Sequence, residues 1–463
     1  MSDGATARWA DVLRERHFPV FLLLCFGIWL HAADSLLVAT AMPTVVAEIG
    51  GAAYLAWATA LYVLASIVAG AAAGSAMRRF TIRAAITGGA LLYGVGCVAS
   101  AAAPDMAVML LGRALQGAGG GAMVALAYVA LERLFPAALW PRLFAVVAVI
   151  WGVAALFGPL IGGLFTEAGF WRGAFWAFAA QALVLGLAFA RFLPGDGTAK
   201  ARAGEAPTPM PLARLFVVAL GVLGIAAAGV IGHVPSALGA GLAGLALLGF
   251  AIGLDRRAAV PILPRATFRP GAAAAGFMLV LAVSIATMPF TVFAPILMEH
   301  LHGTRPLVVG YVIAVEAVAW TLTAVVFAGV GPRAERRVIL AGAAAAGLAV
   351  PLSAWAVPFG GLFWVAVVAF LQGGGMGMVW AFVTRRIVEA VDEGERGLAA
   401  AVVPTVQLLG YALGAAGAGI VANARGLGAD PGPATALAAG PWIFVACVPL
   451  ALVGMAAARR LAR

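Results

Sequence analysis

Long apolar runs recur from one end of this chain to the other, and the longest decides what kind of body the chain can form. Residues 215–254 pass forty positions without an Asp, Glu, Lys or Arg. A helix of about 20 residues crosses the hydrocarbon core of a bilayer, so this segment reads as two membrane helices turning near His233 and Pro235. Twelve more runs lie near 18–41, 54–76, 84–103, 107–131, 143–166, 171–193, 271–297, 307–330, 337–357, 361–384, 397–423 and 441–458. The expected total is fourteen spans. Only 10% of the 463 residues are charged and 64% are hydrophobic, where soluble domains carry about 25% charge. Such a chain cannot clothe a water-facing surface, which excludes a soluble enzyme, a disordered chain and a secreted disulfide scaffold. The expected class is an all-α polytopic membrane protein, because helices satisfy their own backbone in lipid.

The formal charge of +10 would suggest a nucleic-acid partner in a soluble protein. Its placement says otherwise. With fourteen spans, 25 of the 29 Lys and Arg fall in loops on one side, and only Arg172, Arg305 and Arg425 fall on the other. Basic loops stay cytoplasmic, so both termini are expected in the cytoplasm, in a multi-pass protein of the cytoplasmic (inner) membrane with no nucleic-acid partner. The first run is too long for a signal-peptide core and carries Asp34, so it reads as a retained helix. Lys200 is the sole lysine and follows no glycine-rich phosphate loop, which argues against ATP drive. Cys25, Cys97 and Cys447 sit in apolar runs as buried thiols. No His-Glu-x-x-His or other metal-ligand cluster stands in the sequence, so neither metal nor cofactor is expected.

The chain also repeats itself. Leu115-Gln116-Gly117-Ala118-Gly119-Gly120-Gly121 in the fourth helix recurs as Leu371-Gln372-Gly373-Gly374-Gly375-Met376-Gly377, 256 residues later. Parallel halves of about six helices are the mark of a rocking transporter with its site between them. The expected order is a cytoplasmic segment 1–17, a six-helix bundle 18–193, a linker 194–270 holding two extra helices, a second bundle 271–458 and a tail 459–463.

Asp34, Arg113 and Glu316 are charges within the apolar runs, where each costs about 2.5–3.5 kcal/mol at the bilayer centre and marks function by default. Counting from Pro43 and Pro104, Asp34 and Arg113 each lie nine residues from the same boundary, or roughly 13 Å deep at 1.5 Å per residue. Equal depth permits an ion pair. Burial and a neighbouring arginine act in opposite directions on a carboxyl's hold on its proton, which suits a group that takes up and releases protons. Arg113 reads either as a clamp or as a participant. Glu316, ten residues into its helix, is the matching candidate in the second half. His31 lies one turn before Asp34, either as a proton relay or as a packed histidine. Trp29, Trp151, Tyr311, Trp320 and Trp380, with Gln116 and Gln372, are candidates to line a cavity for an apolar or cationic ligand. Gly152, Gly158, Pro159, Gly162 and Gly163 in the fifth helix read as a packing and bending element.

Three stretches together resemble the major facilitator superfamily, in its fourteen-helix drug:proton antiporter branch. They are Asp34-Ser35-Leu36-Leu37-Val38-Ala39-Thr40-Ala41-Met42-Pro43, then Gly112-Arg113-Ala114-Leu115-Gln116-Gly117, then Gly152 with Gly158-Pro159 and Gly162-Gly163. The resemblance implies two pseudo-symmetric six-helix bundles plus an inserted pair. It also implies proton-coupled export of drug-like small molecules, with the arginine of the fourth-helix motif, here Arg113, linked to proton transfer. The family's loop motif after helix two is altered: Gly74 is kept, but Arg78 takes the place of the acid and Thr81 that of a glycine. The second copy, Gly331-Pro332-Arg333-Ala334-Glu335, keeps an acid at its place. The expected activity is secondary export of amphipathic or cationic molecules in exchange for protons, by a monomer. The alternatives are a carrier of one metabolite and a membrane sensor that does not transport.

Overall fold

A computed structural model describes residues 9–136, 139–194, 212–258, 261–327 and 330–463; Lys200 lies outside the described residues. The described residues form helices and no strand. A short helix α1 (Trp9–Arg14) precedes α2 (Phe18–Ile49), α3 (Leu55–Arg79), α4 (Ile82–Ala101), α5 (Met106–Leu134), α6 (Trp140–Glu167) and α7 (Trp171–Phe192). The pair α8 (Leu212–Ala228) and α9 (Val234–Arg257) follows. The second half contains α10 (Ala272–His302), α11 (Pro306–Phe327), α12 (Pro332–Phe359), α13 (Gly361–Glu389), α14 (Arg396–Ala424), α15 (Pro433–Val445) and α16 (Val448–Leu461). Thirteen stretches are long and apolar enough to cross a membrane, α15 and α16 together making one of them. With the shorter apolar α8 the described spans number fourteen.

Two boundaries differ from the sequence reading. The first long helix does not end near Pro43 but continues to Ile49. A proline inside a helix removes one backbone bond, and packing neighbours in a bundle can offset that loss; here Thr40 binds Leu37 O and Pro159 O, each at 3.0 Å. The helix stops instead at Gly50 and Gly51, whose φ of 72° and 82° are open to glycine at little cost. The last span begins at Pro433, eight residues early, and breaks between α15 and α16 just before Pro449.

The repeat is visible in the packing. α3 and α4 close on α5 as α11 and α12 close on α13, and α2 packs on α6 as α10 packs on α14. Glycines permit the approach: a Cβ on Gly117 would lie 2.1 Å from Tyr62 O, and one on Gly373 would lie 1.8 Å from Glu316 O. The halves meet along two seams, α6 against α11 and α3 against α14.

The inserted pair packs against α14 and α3, covering the second seam. Asp255 closes the pair on itself and on the connection that follows it, and that connection reaches the second half. Asp255 accepts from Ile262 N at 2.7 Å, from Leu263 N at 2.9 Å and from Arg214. Arg265 N donates to Glu395 Oε2 at 3.1 Å. Asn423 Nδ2 of α14 donates both to Gly229 O in the α8–α9 turn, at 3.0 Å, and to Ala53 O ahead of α3, at 2.8 Å.

The hydrophobic core is uneven along the molecule. At the end away from the basic loops, Phe293, Leu297, Ile313, Val357 and Phe444 of the second half join one core with the first half. At the basic end the second half keeps a separate core around Ile339, Val383, Ile387 and Val403. The joined end also carries the Arg305–Glu167 ion pair between α11's approach and the end of α6.

Candidate functional site

Asp34 and Arg113 meet. Arg113 Nη1 lies 3.0 Å from both Asp34 oxygens, and both residues are 0% exposed. The helix ends are staggered rather than level: Asp34 is fifteen residues from the end of α2, while Arg113 is seven from the start of α5. The ion pair that equal depth would permit is therefore made without that equality, and the extra turns of α2 carry Glu48 to Trp171 Nε1 (2.6 Å) and Arg172 on α7.

Neutral groups complete the site. Gln116 Oε1 accepts from the same Arg113 Nη1 at 2.9 Å and from Ser100 Oγ at 3.3 Å, while Gln116 Nε2 faces Cys97 Sγ at 3.2 Å. The Arg113 guanidinium carbon lies 4.1 Å from the centre of the Tyr62 ring, within the range of cation–π attraction. Tyr62 Oη donates to His31 O at 2.7 Å and stands 2.8 Å from His31 Nδ1. The single phenol hydrogen is committed to the carbonyl, so Nδ1–H is the donor in the second bond. His31 is thus tied to α3, its ring stacked on Tyr62 at 5.2 Å and edged by Trp151 at 6.2 Å. Gly120 leaves room for it, since a Cβ there would lie 2.3 Å from Nδ1.

Glu316 stands apart from this cluster. It accepts from Gln372 Nε2 at 2.8 Å and from Thr291 Oγ1 at 3.4 Å. Its place in the repeat is that of Tyr62, because both lie over the equivalent glycine of the partner helix, Gly373 and Gly117. It is therefore not the counterpart of Asp34. Position 113 of the first copy corresponds to Ala369, so the second half has no equivalent arginine.

The other candidates scatter. Trp29 stacks between Phe26 and Phe178, in the seam of α2 and α7. Trp151 is 38% exposed beside His31, whereas Tyr311 is exposed on α11, and Trp320 and Trp380 pair at 5.7 Å. The fifth-helix glycines build seams: Gly158 lies against Ala33 and Gly162 against Leu37 and Thr40 of α2. Gly163 lies against Leu307, Gly310 against Pro159 O and Gly152 against Thr321 of α11. Glu335 is buried at the start of α12 and binds Arg386 Nε at 2.8 Å and Arg385, clamping α12 to α13. Thr81 caps α4 through Ala84 N at 3.2 Å. Gly74 and Arg78 belong to the last turns of α3, whose side chains lie outside those described.

Tyr62, Ser100 and Thr291 are polar participants that the sequence reading left out of the site, and Glu299 is a further buried acid away from it. Glu299 lies inside α10 with a buried, unpartnered Oε1; the apolar run stops at 297, short of the helix end at His302. The 254-residue spacing between Tyr62 and Glu316, close to that of the glycine run, was the signal available for Tyr62.

Comparison with known proteins agrees with the fold and the motifs. A sequence profile of the major facilitator superfamily matches residues 24–298. A probable multidrug-efflux transporter of Mycobacterium tuberculosis is 31% identical over 434 residues, spanning 90% of each chain. The multidrug transporter protein MdtP of Bacillus subtilis is 25% identical over 87% of this chain and 74% of its own. Among solved structures, the peptide transporter POT in complex with sulfate superposes with a TM-score of 0.66 at 18% identity, covering 96% of this chain and 95% of the other.

Proposed function

The chain belongs to the major facilitator superfamily, as a multi-pass membrane transporter and not an enzyme, and from that premise we propose that it exports amphipathic or cationic small molecules in exchange for protons. The observation that carries the reading is the Asp34–Arg113 pair, wholly buried between α2 and α5 of a membrane bundle. An acid held there only for packing is expensive. An acid that gains and loses a proton as the bundle rearranges has a reason to be there. Arg113 orients it, the Tyr62 ring lies against that guanidinium, and Glu316 is a second acid in the other half. The efflux reading draws on the relatives in Mycobacterium tuberculosis and Bacillus subtilis.

Alternating access is supported by the uneven core. The halves share packing at one end and not at the basic end, and the positive-inside rule assigns the basic end to the cytoplasm. On this reading the protein stands open inward in the cytoplasmic membrane, with both termini cytoplasmic and one chain sufficient. A proton crossing 100 mV releases about 2.3 kcal/mol, enough to drive roughly fiftyfold accumulation per proton. The test is substrate-driven proton movement in proteoliposomes, comparing wild type with Asp34→Asn. We expect at least a tenfold loss of flux in the variant; flux equal to wild type removes Asp34 from the mechanism.

A further inference from the structure

Glu316 differs from Asp34 in what surrounds it. Asp34 is sealed from solvent and both its oxygens accept from one guanidinium. Its charge is matched and its space is filled. Glu316 is half-buried, and its partners are neutral: the Gln372 amide at 2.8 Å and the Thr291 hydroxyl at 3.4 Å. Among the described residues no cation pairs with it.

The hydrogen-bond inventory around Glu316 is short of donors. A carboxylate offers about four acceptor positions, of which two are used here and one of those is long. The Gln372 nitrogen spends its hydrogens on Glu316 and on Thr287 O at 3.3 Å, while Gln372 Oε1 is buried and receives none. Trp320 follows Glu316 by one turn on the same face of α11, tilted against Trp380. The second half therefore presents a negative charge, surplus acceptors and an aromatic flank in one place.

We propose that Glu316 and Gln372 form a recognition point for an organic cation that carries N–H groups, such as a primary or secondary arylalkylammonium or an amidinium, in preference to a quaternary ammonium. An N–H cation supplies both the missing charge and the missing donors, with its ring against Trp320. A quaternary cation brings charge alone, and its methyl shell holds that charge away from the carboxylate. The proposal takes the small-molecule export reading as its setting and names the class of molecule and the residues that receive it.

A matched pair of probes tests it: naphthylmethylammonium and its N,N,N-trimethyl analogue, titrated calorimetrically against the purified full-length protein in detergent micelles. The primary amine should bind at least tenfold more tightly than the trimethyl cation. In Glu316→Gln that preference should fall to threefold or less. Equal or tighter binding of the trimethyl cation to wild type, no binding of either, or a preference that survives Glu316→Gln overturns the proposal. Should Glu316→Gln not be recovered as a folded protein, the wild-type ratio still decides, with Gln372→Leu as the second variant expected to lower it. Proton movement driven by the amine in proteoliposomes is read separately. A preserved preference without proton flux removes the exchange reading and leaves the site, whereas flux without preference removes the site and leaves the exchange.

Discussion

Arg113 Nη1 serves Asp34 and Gln116 at once, and the Tyr62 ring lies against the same guanidinium. Two opposite charges buried this way depend on each other more than they stabilise the fold as a pair, because each has lost its water. Removing one partner strands the other at a cost of about 3–5 kcal/mol. Arg113→Ala is therefore expected to lower the thermal unfolding temperature clearly, and Asp34→Asn placed on top of it should recover part of the loss. Thermal unfolding of the three purified proteins measures both effects; a double variant no more stable than Arg113→Ala speaks against the charge argument. The equal depth counted from Pro43 does not hold, since α2 runs on to Ile49, but that these two residues could pair was readable from the chain, because a charge in an apolar run is conspicuous. Tyr62 was not, since a tyrosine in a membrane helix is as suited to packing as to holding His31. Its role emerges only when α3 is laid over Gly117 of α5.

At the scale of single helices, α6 is the element with two duties. Gly158 and Gly162 bring it onto α2 of its own half, and Gly152 and Gly163 bring it onto α11 of the other. The glycine pattern announced close packing but not the partners, because spacing along one helix says nothing of what approaches it. The space at each glycine now separates positions that look alike in sequence. A Cβ on Gly158 would lie 2.5 Å from Ala33 O, whereas one on Gly88 of α4 meets nothing within 4 Å. Overpacking against backbone costs typically about 1–3 kcal/mol, so Gly158→Ala should reduce the yield and unfolding temperature of folded protein while Gly88→Ala leaves both near wild type. Equal behaviour of the two variants would contradict the seam described for α6. The extension of α2 past Pro43 escaped the sequence for a related reason: a proline ends a helix in isolation, but here Trp171 and Arg172 of α7 hold Glu48 beyond it.

Across the whole molecule, the joined end is the part that must separate if the two halves rock. Glu167 at the end of α6 and Arg305 before α11 face each other across that boundary. Exposed ion pairs contribute only about 0–1 kcal/mol, so this one marks a meeting point more than it secures one. Replacing the two by Glu167→Cys and Arg305→Cys and bridging them with a short thiol-reactive linker should stop transport, and a cleavable linker should let it resume. The native Cys25, Cys97 and Cys447 are buried and free, which keeps the background reaction low. Transport that continues through the bridged protein would show that this end need not open. The count of spans and the two halves were legible because hydrophobic length and loop charge are both written along the chain; which end is joined was not, because neither quantity says how the two halves pack against each other.

The amide of Asn423 gives the inserted helices a part in that movement. One of its bonds reaches Ala53 in the first half and the other reaches the turn of the inserted pair at Gly229. If α3 and α14 part at this end, the first of these two bonds crosses the opening and the second does not, while Arg265 N on Glu395 ties the connection after the pair to the second half. Between α7 and α8 the chain runs from Leu193 to Pro211, against Ala258 to Gly271 between α9 and α10. If the halves rock, the first of these connections, nineteen residues against fourteen, is the one that joins the pair to the first half.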